Sequence, residues 1–273
     1  MNTTIRRTTV SLLILIIGLL LNQAPSFAGE LISWSSDEGI SRLEQAGVKN
    51  DFFALSPHFE GQSNKVFCGV ASMVIVANSL RVTSDATDIP LDSSRISKQE
   101  MNFFPKGGWS PFFHRYTQES ILTGQGKTRM QIMGEPSGSI SDSGSESDYG
   151  MRLADLDALA ASLKFTTQTT YVTEEQLAKQ SYTLAVKQQL IDGLNQKEQF
   201  VIINYSRKPL NQRGDGHFSP LAAYHAASDS FLIMDVSNTF QTWVWVESKP
   251  LMQAMARIDK QNSRGFIVVS EDT

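Results

Sequence analysis

The chain has 273 residues, 41% hydrophobic and 19% charged, with a formal net charge of −4 at pH 7. That length supports a full hydrophobic core in one domain or in two tightly packed lobes. The mild, dispersed acidity offers no basic stripe for nucleic acid; one cysteine, Cys68, and four scattered histidines leave no internal disulfide and no zinc-type ligand spacing.

Arg6 and Arg7 precede an apolar run from Val10 to Leu21, and Ser26-Phe27-Ala28 puts small residues where a signal peptidase reads. The run is short for a membrane span. Residues 1–28 therefore read as a secretory signal peptide, with an uncleaved anchor as the alternative. Residues 29–273 read as a single exported domain, periplasmic or secreted, with no stable membrane association once the signal is removed. Ser36 to Ala46 has the pattern of a short amphipathic helix, with Asp37 and Glu38 in its first turn and Ile40, Leu43 and Ala46 on one face. Residues 51–55 are apolar, and Ser56-Pro57 and Gly61 then punctuate a loop that delivers Gln62 and Cys68.

From Gly69 to Leu80 the chain is apolar with small residues, which predicts a buried helix beginning at or just after Cys68. A thiol at a helix N-terminus sits beside unpaired backbone N–H groups, in the positive end of the macrodipole, and this favours the nucleophilic thiolate. The competing reading is a small hydrophobe in the core. Residues 81–150 are irregular. Their Gly- and Pro-rich aromatic stretch from Phe103 to Phe113 reads as packed loops, either ordinary core filling or the wall of a cleft. Residues 134–150 are rich in serine, glycine and acids and read as a flexible surface loop.

Met151 to Leu163 is amphipathic and predicts a helix. Lys164 to Val172 alternates as a strand does, Thr173 is placed to cap a helix, and Leu184 to Leu194 predicts another. Strands follow at 200–205, 217–226, 231–236 and 242–246, then a helix at 249–256 and a strand at 265–270. The expected class is α+β: a mainly helical half carrying the thiol, an antiparallel sheet, and a cleft at the seam between two lobes.

Three residues give the thiol partners. His217 opens one predicted strand behind the turn ending in Gly216, which leaves room for a substrate. Asp235 lies near the end of the next strand, so an antiparallel pair brings His217 and Asp235 to the same end of the sheet. Gln62 precedes Cys68 closely enough for a loop to return an amide donor to an oxyanion beside the sulfur. Thiol, imidazole and carboxylate are the parts of an acyl-transfer site, in a cysteine peptidase or an acyltransferase. His58 is a rival base near the thiol in sequence, and His225 falls at the wrong end of its strand.

The wording of these segments narrows the reading. Phe67-Cys68-Gly69-Val70-Ala71-Ser72 resembles the thiol region of the phytochelatin synthase family, and Gly216-His217-Phe218-Ser219-Pro220 with Ile233-Met234-Asp235-Val236 resembles its His and Asp region. The resemblance covers most of residues 50–270, and the chain looks like the short bacterial members. It implies a papain-like fold, glutathione as substrate, Cys68, His217 and Asp235 as a triad, and Gln62 as the oxyanion residue. It further implies Arg264 and Asp259 as the pair holding the γ-glutamyl group, a homodimer, and no cofactor for acylation. A heavy-metal ion such as Cd²⁺, or its glutathione complex, enters as activator or co-substrate. A general papain-like peptidase and a non-catalytic thiol- or metal-binding module remain as alternatives. The chain departs from the family at Ser237 to Gln241, and residues 134–150 look like an insertion.

Overall fold

Phe200 to Tyr205 is apolar at nearly every position, so a strand there must bury both faces and requires a layer on each side. The structure, a computed structural model describing residues 30–81, 89–123, 126–134, 149–237 and 242–271, has that architecture. The expected signal peptide, nearly all of the 134–150 loop and residues 238–241 lie outside the described residues.

In chain order the elements are β1 (Ile32–Ser33), α1 (Asp37–Gln45), α2 (Asn50–Leu55), α3 (Cys68–Leu80), α4 (Arg129–Met133), α5 (Leu153–Ser162), β2 (Thr166–Tyr171), α6 (Glu174–Leu177) and α7 (Gln180–Asn195). Then come β3 (Gln199–Ser206), β4 (Gly216–His225), β5 (Ser230–Ile233), β6 (Val244–Glu247), α8 (Ser248–Met255), the hairpin β7 (Ile258–Asp259) and β8 (Asn262–Ser263), and β9 (Gly265–Ser270). One seven-stranded sheet runs in the order β1-β6-β5-β4-β3-β9-β2, with each neighbouring pair antiparallel.

Alternation along the central strands sorts the core into two clusters. Phe200, Ile202, Phe218, Ala222 and Ile267 pack with α3 and α5. Val201, Ile203, Tyr205, Leu221 and Phe266 pack with α7 and α8. The two lobes thus take the form of helical layers on opposite sides of a shared sheet, and the α+β expectation is borne out. The first ten residues of α3, Cys68 to Ala77, are all buried, as a helix apolar on every side must be.

Local signals act as their chemistry predicts. Ser36 caps α1 by accepting from the Gly39 N–H at 3.1 Å, and Thr173 caps α6 by accepting from Gln176 N–H at 3.2 Å. Two boundaries differ by more than two residues. Helix α7 begins at Gln180, a turn before the apolar positions that mark it. Strand β5 ends at Ile233, because the register against β4 shifts between Leu221 and Ala223 and leaves Asp235 beyond the last pair.

Asp51, in α2, is 3% exposed, and its Oδ2 has no hydrogen-bond partner among the described residues; burial pushes its carboxyl up to about 8. The folded state therefore holds a proton that the unfolded chain releases in the ordinary carboxylate range. The stability linked to that proton is complete below this range and declines as pH rises toward the folded value. Thermal melts should show that Asp51→Asn loses less stability than the wild type between about pH 5 and about pH 8.

Candidate active site

Cys68 is the first residue of α3 and is 9% exposed. Gly69 behind it lets the helix approach the sheet: a Cβ there would sit 3.1 Å from Met151 Sδ and 3.4 Å from the Phe218 ring. Across from the thiol, β4 begins. Register pairs His217 with Tyr205, and the two rings meet edge to face at 5.7 Å between centroids. His217 Nε2 donates to Asp235 Oδ1 at 2.9 Å. That leaves Nδ1 for Cys68, to which His217 is also hydrogen-bonded.

The electrostatics follow from these contacts. Burial pushes the Cys68 thiol up, but the hydrogen bond and charge of His217, with the backbone N–H groups of Phe218 and Gly69, outweigh it and hold the thiol below its ordinary range. Burial pushes His217 down, yet its hydrogen bonds to Asp235 and Cys68 raise it above the usual imidazole value. The two groups titrate as a pair, and both shifts favour thiolate beside imidazolium.

Asp235 is fully buried, and burial alone would raise it. His217, the Arg207 guanidinium and the Ser237 backbone N–H hold it below the usual carboxylate range instead. Arg207 Nη2 reaches Asp235 Oδ2 at 2.8 Å and Oδ1 at 2.9 Å; Ser237 N donates to Oδ1 at 2.8 Å; the Tyr205 hydroxyl lies 3.4 Å from Oδ2. Arg207 is itself 4% exposed, and its Nη1 donates to Gln212 Oε1 at 3.1 Å. Sequence reasoning gave Arg207 and Tyr205 no role. Nothing in the spacing around the Lys208-Pro209 turn marks Arg207 as buried, and its only signal was the need of a buried Asp235 for a counterion.

Cys68 and His217 open into a cleft of about 380 Å³ that also contains Gly216, Asp259 and Arg264. The β7–β8 hairpin folds Asp259 back toward Arg264, so their short separation in sequence brings Asp259 Oδ1 to 3.7 Å from Arg264 Nη2. Arg264 is 5% exposed; its Nη1 donates to the Ile258 carbonyl at 2.9 Å, and its Nε is buried with no partner among the described residues. Gly216 makes this possible, since a Cβ there would stand 2.5 Å from Arg264 Nη2.

Gln62 Nε2 donates to the Asn64 carbonyl at 2.7 Å, and its Oε1 is buried with no partner among the described residues; Gln62 is not one of the residues lining the cleft. Its backbone N–H donates to Val236 O at 2.9 Å, tying the loop before Cys68 to the residue after Asp235. His58 lines a different cavity, of about 490 Å³, with His114 and Arg115. His225 contacts Ser228 Oγ at 2.7 Å at the far end of β4. Among the described residues, no cluster of three or more His, Cys, Asp or Glu could hold a metal ion, and no helix is long and apolar enough to cross a membrane.

Residues 23–266 match the family model described as phytochelatin synthase. The chain is 30% identical over 250 residues to glutathione gamma-glutamylcysteinyltransferase 2 of Arabidopsis thaliana, covering 90% of this chain and 46% of that protein. It is 25% identical over 230 residues to the glutathione gamma-glutamylcysteinyltransferase of Schizosaccharomyces pombe, covering 84% and 45% respectively. The chain therefore spans less than half the length of these relatives. Among solved structures, xylellain, a cysteine protease from Xylella fastidiosa, aligns with a TM-score of 0.34 at 12% identity over 89% of this chain and 92% of that one. So loose a likeness carries no argument, and the α+β class rests on the layers described above.

Two outcomes test the geometry. Alkylation of Cys68 by iodoacetamide should persist well below the usual thiol range, and His217→Ala should move its pH midpoint upward, since the partner that lowers the thiol is gone. Gly216→Ala should displace Arg264 while leaving the thiol alkylation rate unchanged. If the cleft binds a carboxylate through that guanidinium, kcat/KM should fall roughly 10- to 100-fold, chiefly through KM.

Proposed function

Because this chain belongs to the phytochelatin synthase family, we propose that it cleaves the Cys–Gly amide of glutathione by thiol acyl transfer. The observation that carries this reading is a single cleft joining the activated Cys68–His217 pair to a buried arginine and its half-buried carboxylate partner. A peptidase of general specificity needs a groove for extended backbone. A γ-glutamyl group instead presents a free carboxylate and a free amine on one carbon, and Arg264 with Asp259 offers one partner to each. The cleft also holds Lys65, Arg152 and Lys260 against Asp215 and Asp259, which suits a substrate with two carboxylates and one ammonium group.

The proposed sequence uses only these groups. The Cys68 thiolate attacks the carbonyl carbon of the Cys–Gly amide. His217, holding a proton on Nδ1, passes it to the departing glycine nitrogen while Nε2–H stays on Asp235. Glycine leaves, and a γ-glutamylcysteinyl thioester remains on the sulfur. Neutral His217 then takes a proton from water, giving γ-glutamylcysteine, or from the amine of a second glutathione, giving a longer thiol peptide. The Gly69 and Phe218 backbone N–H groups steady the sulfur as thiolate. Gln62 serves the oxyanion only if its amide turns from Asn64 or uses its second hydrogen, so its contribution is smaller than that of the triad.

In this proposal acylation needs no metal. Cd²⁺ acts through its thiol complexes with glutathione, as co-substrate for the transfer branch. Export, with glutathione met outside the cytoplasm, and a homodimer complete the reading.

The test is glycine release from glutathione by the wild type and by Cys68→Ala, with and without Cd²⁺. The wild type alone should release glycine and γ-glutamylcysteine, with Cd²⁺ altering the yield of longer thiol peptides and not the need for Cys68. Absence of glycine under every condition, or equal cleavage of peptides lacking the γ-glutamyl group, would overturn the substrate assignment.

A further inference from the structure

Residues 90–115 form a loop that is closed at its base and unburied at its tip. Leu91 and His114 make an antiparallel bridge, Asp92 N–H donates to Phe113 O at 2.8 Å, and Arg115 N–H to Pro90 O at 3.0 Å. Arg115 fixes the stem with ion pairs to Asp92 at 3.3 Å and Glu60 at 3.2 Å. At the far end, Gly107 and Gly108 take φ of +90° and +70°, a turn that side chains resist, and bring Trp109 to 5.6 Å from the Phe104 ring.

This constrained loop carries the largest aromatic exposure described on the molecule: Phe103 is 87% exposed, Phe113 82% and Trp109 56%, with Leu91 and Met101 also exposed. Exposed cations accompany them. Lys98 and Lys106 pair with no carboxylate among the described residues, and Arg95 reaches Asp92 only at 4.0 Å. Glu100 is the one exposed carboxylate of the loop, and Arg95, Lys98 and Lys106 outnumber it, so a protein of net charge −4 is locally basic here.

Magnitudes favour one occupant. Three aromatic side chains bury on the order of 600 Å², short of the roughly 800 Å² per partner of a stable protein interface. A bilayer surface asks for less: a few aromatic wedges at headgroup depth and cations facing anionic lipid. We propose that this loop docks the protein reversibly on an anionic phospholipid surface, through Phe103, Trp109 and Phe113 with Arg95, Lys98 and Lys106. None of these residues lines the Cys68 cleft, so docking leaves the site open. The attachment is peripheral and salt-sensitive, distinct from a spanning or leader-anchored one.

The test uses the chain from Gly29 onward, since the apolar run at 10–21 would bind lipid by itself and the described fold begins at Glu30. Sedimentation with phosphatidylglycerol-containing vesicles at low salt should pull down the wild type and shift Trp109 emission to the blue. Phosphatidylcholine vesicles should do so weakly. Phe103→Ser/Trp109→Ser/Phe113→Ser should abolish binding, and Lys98→Ser and Lys106→Ser should each weaken it about fivefold. Thiol alkylation at Cys68 should be unchanged in all of these. No vesicle binding by the wild type, or equal binding by the triple variant, overturns the proposal. So does a dimer in light scattering that the triple variant dissociates, which would assign the loop to a second copy of the chain.

Discussion

The site depends on keeping one carboxylate ionised where water does not reach. An unpaired buried carboxylate costs several kcal/mol even after the protein relaxes. Asp235 is held charged by donors from three places: Arg207 and Tyr205 around the end of β3, His217 at the start of β4, and the Ser237 backbone just past Asp235 itself. These donors converge only in the correct strand register. A one-residue slip of β4 against β3 would turn His217 to the opposite face, away from Asp235. Sheet register, stability and the orientation of the imidazole are thus one constraint.

That arrangement sets a sign for acid behaviour. Asp235 is held below the usual carboxylate range, so the stability it contributes is present above that range and lost as pH falls through the depressed value. Protonation there would remove the charge facing Arg207 and the acceptor that fixes the His217 ring. The thiol would then lose its partner together with part of the fold.

Much of this was legible in the sequence where a local pattern suffices. Cys68 to Ala77 is apolar and small at successive positions, and only a core helix accommodates that. Two adjacent strands joined by a short turn put His217 and Asp235 at one end of a sheet without any knowledge of side-chain direction. What stayed hidden depended on non-local geometry. Helix α2 is six residues long, too short for a period to show. The register shift opposite β5 moved Asp235 out of its strand. Arg207 has a buried role that no spacing reveals, and Gln62 meets a nearby carbonyl that competes for its amide. Asp259 and Arg264 stand too close in sequence for an extended chain to align them, and the β7–β8 hairpin supplies the missing turn.

The single backbone hydrogen bond from Gln62 to Val236 has a consequence for the life of the chain before it is folded. It closes the thiol-bearing segment onto the carboxylate-bearing one, and these come from opposite ends of the described fold. Until both are docked, Cys68 lacks the His217 imidazole and the Phe218 N–H that lower it, and keeps only the Gly69 N–H of its own helix. The activation that His217 and Phe218 supply is therefore a product of assembly. The one cysteine of the chain is less nucleophilic before it folds, and gains its full reactivity where a cleft exists to choose what reaches the sulfur.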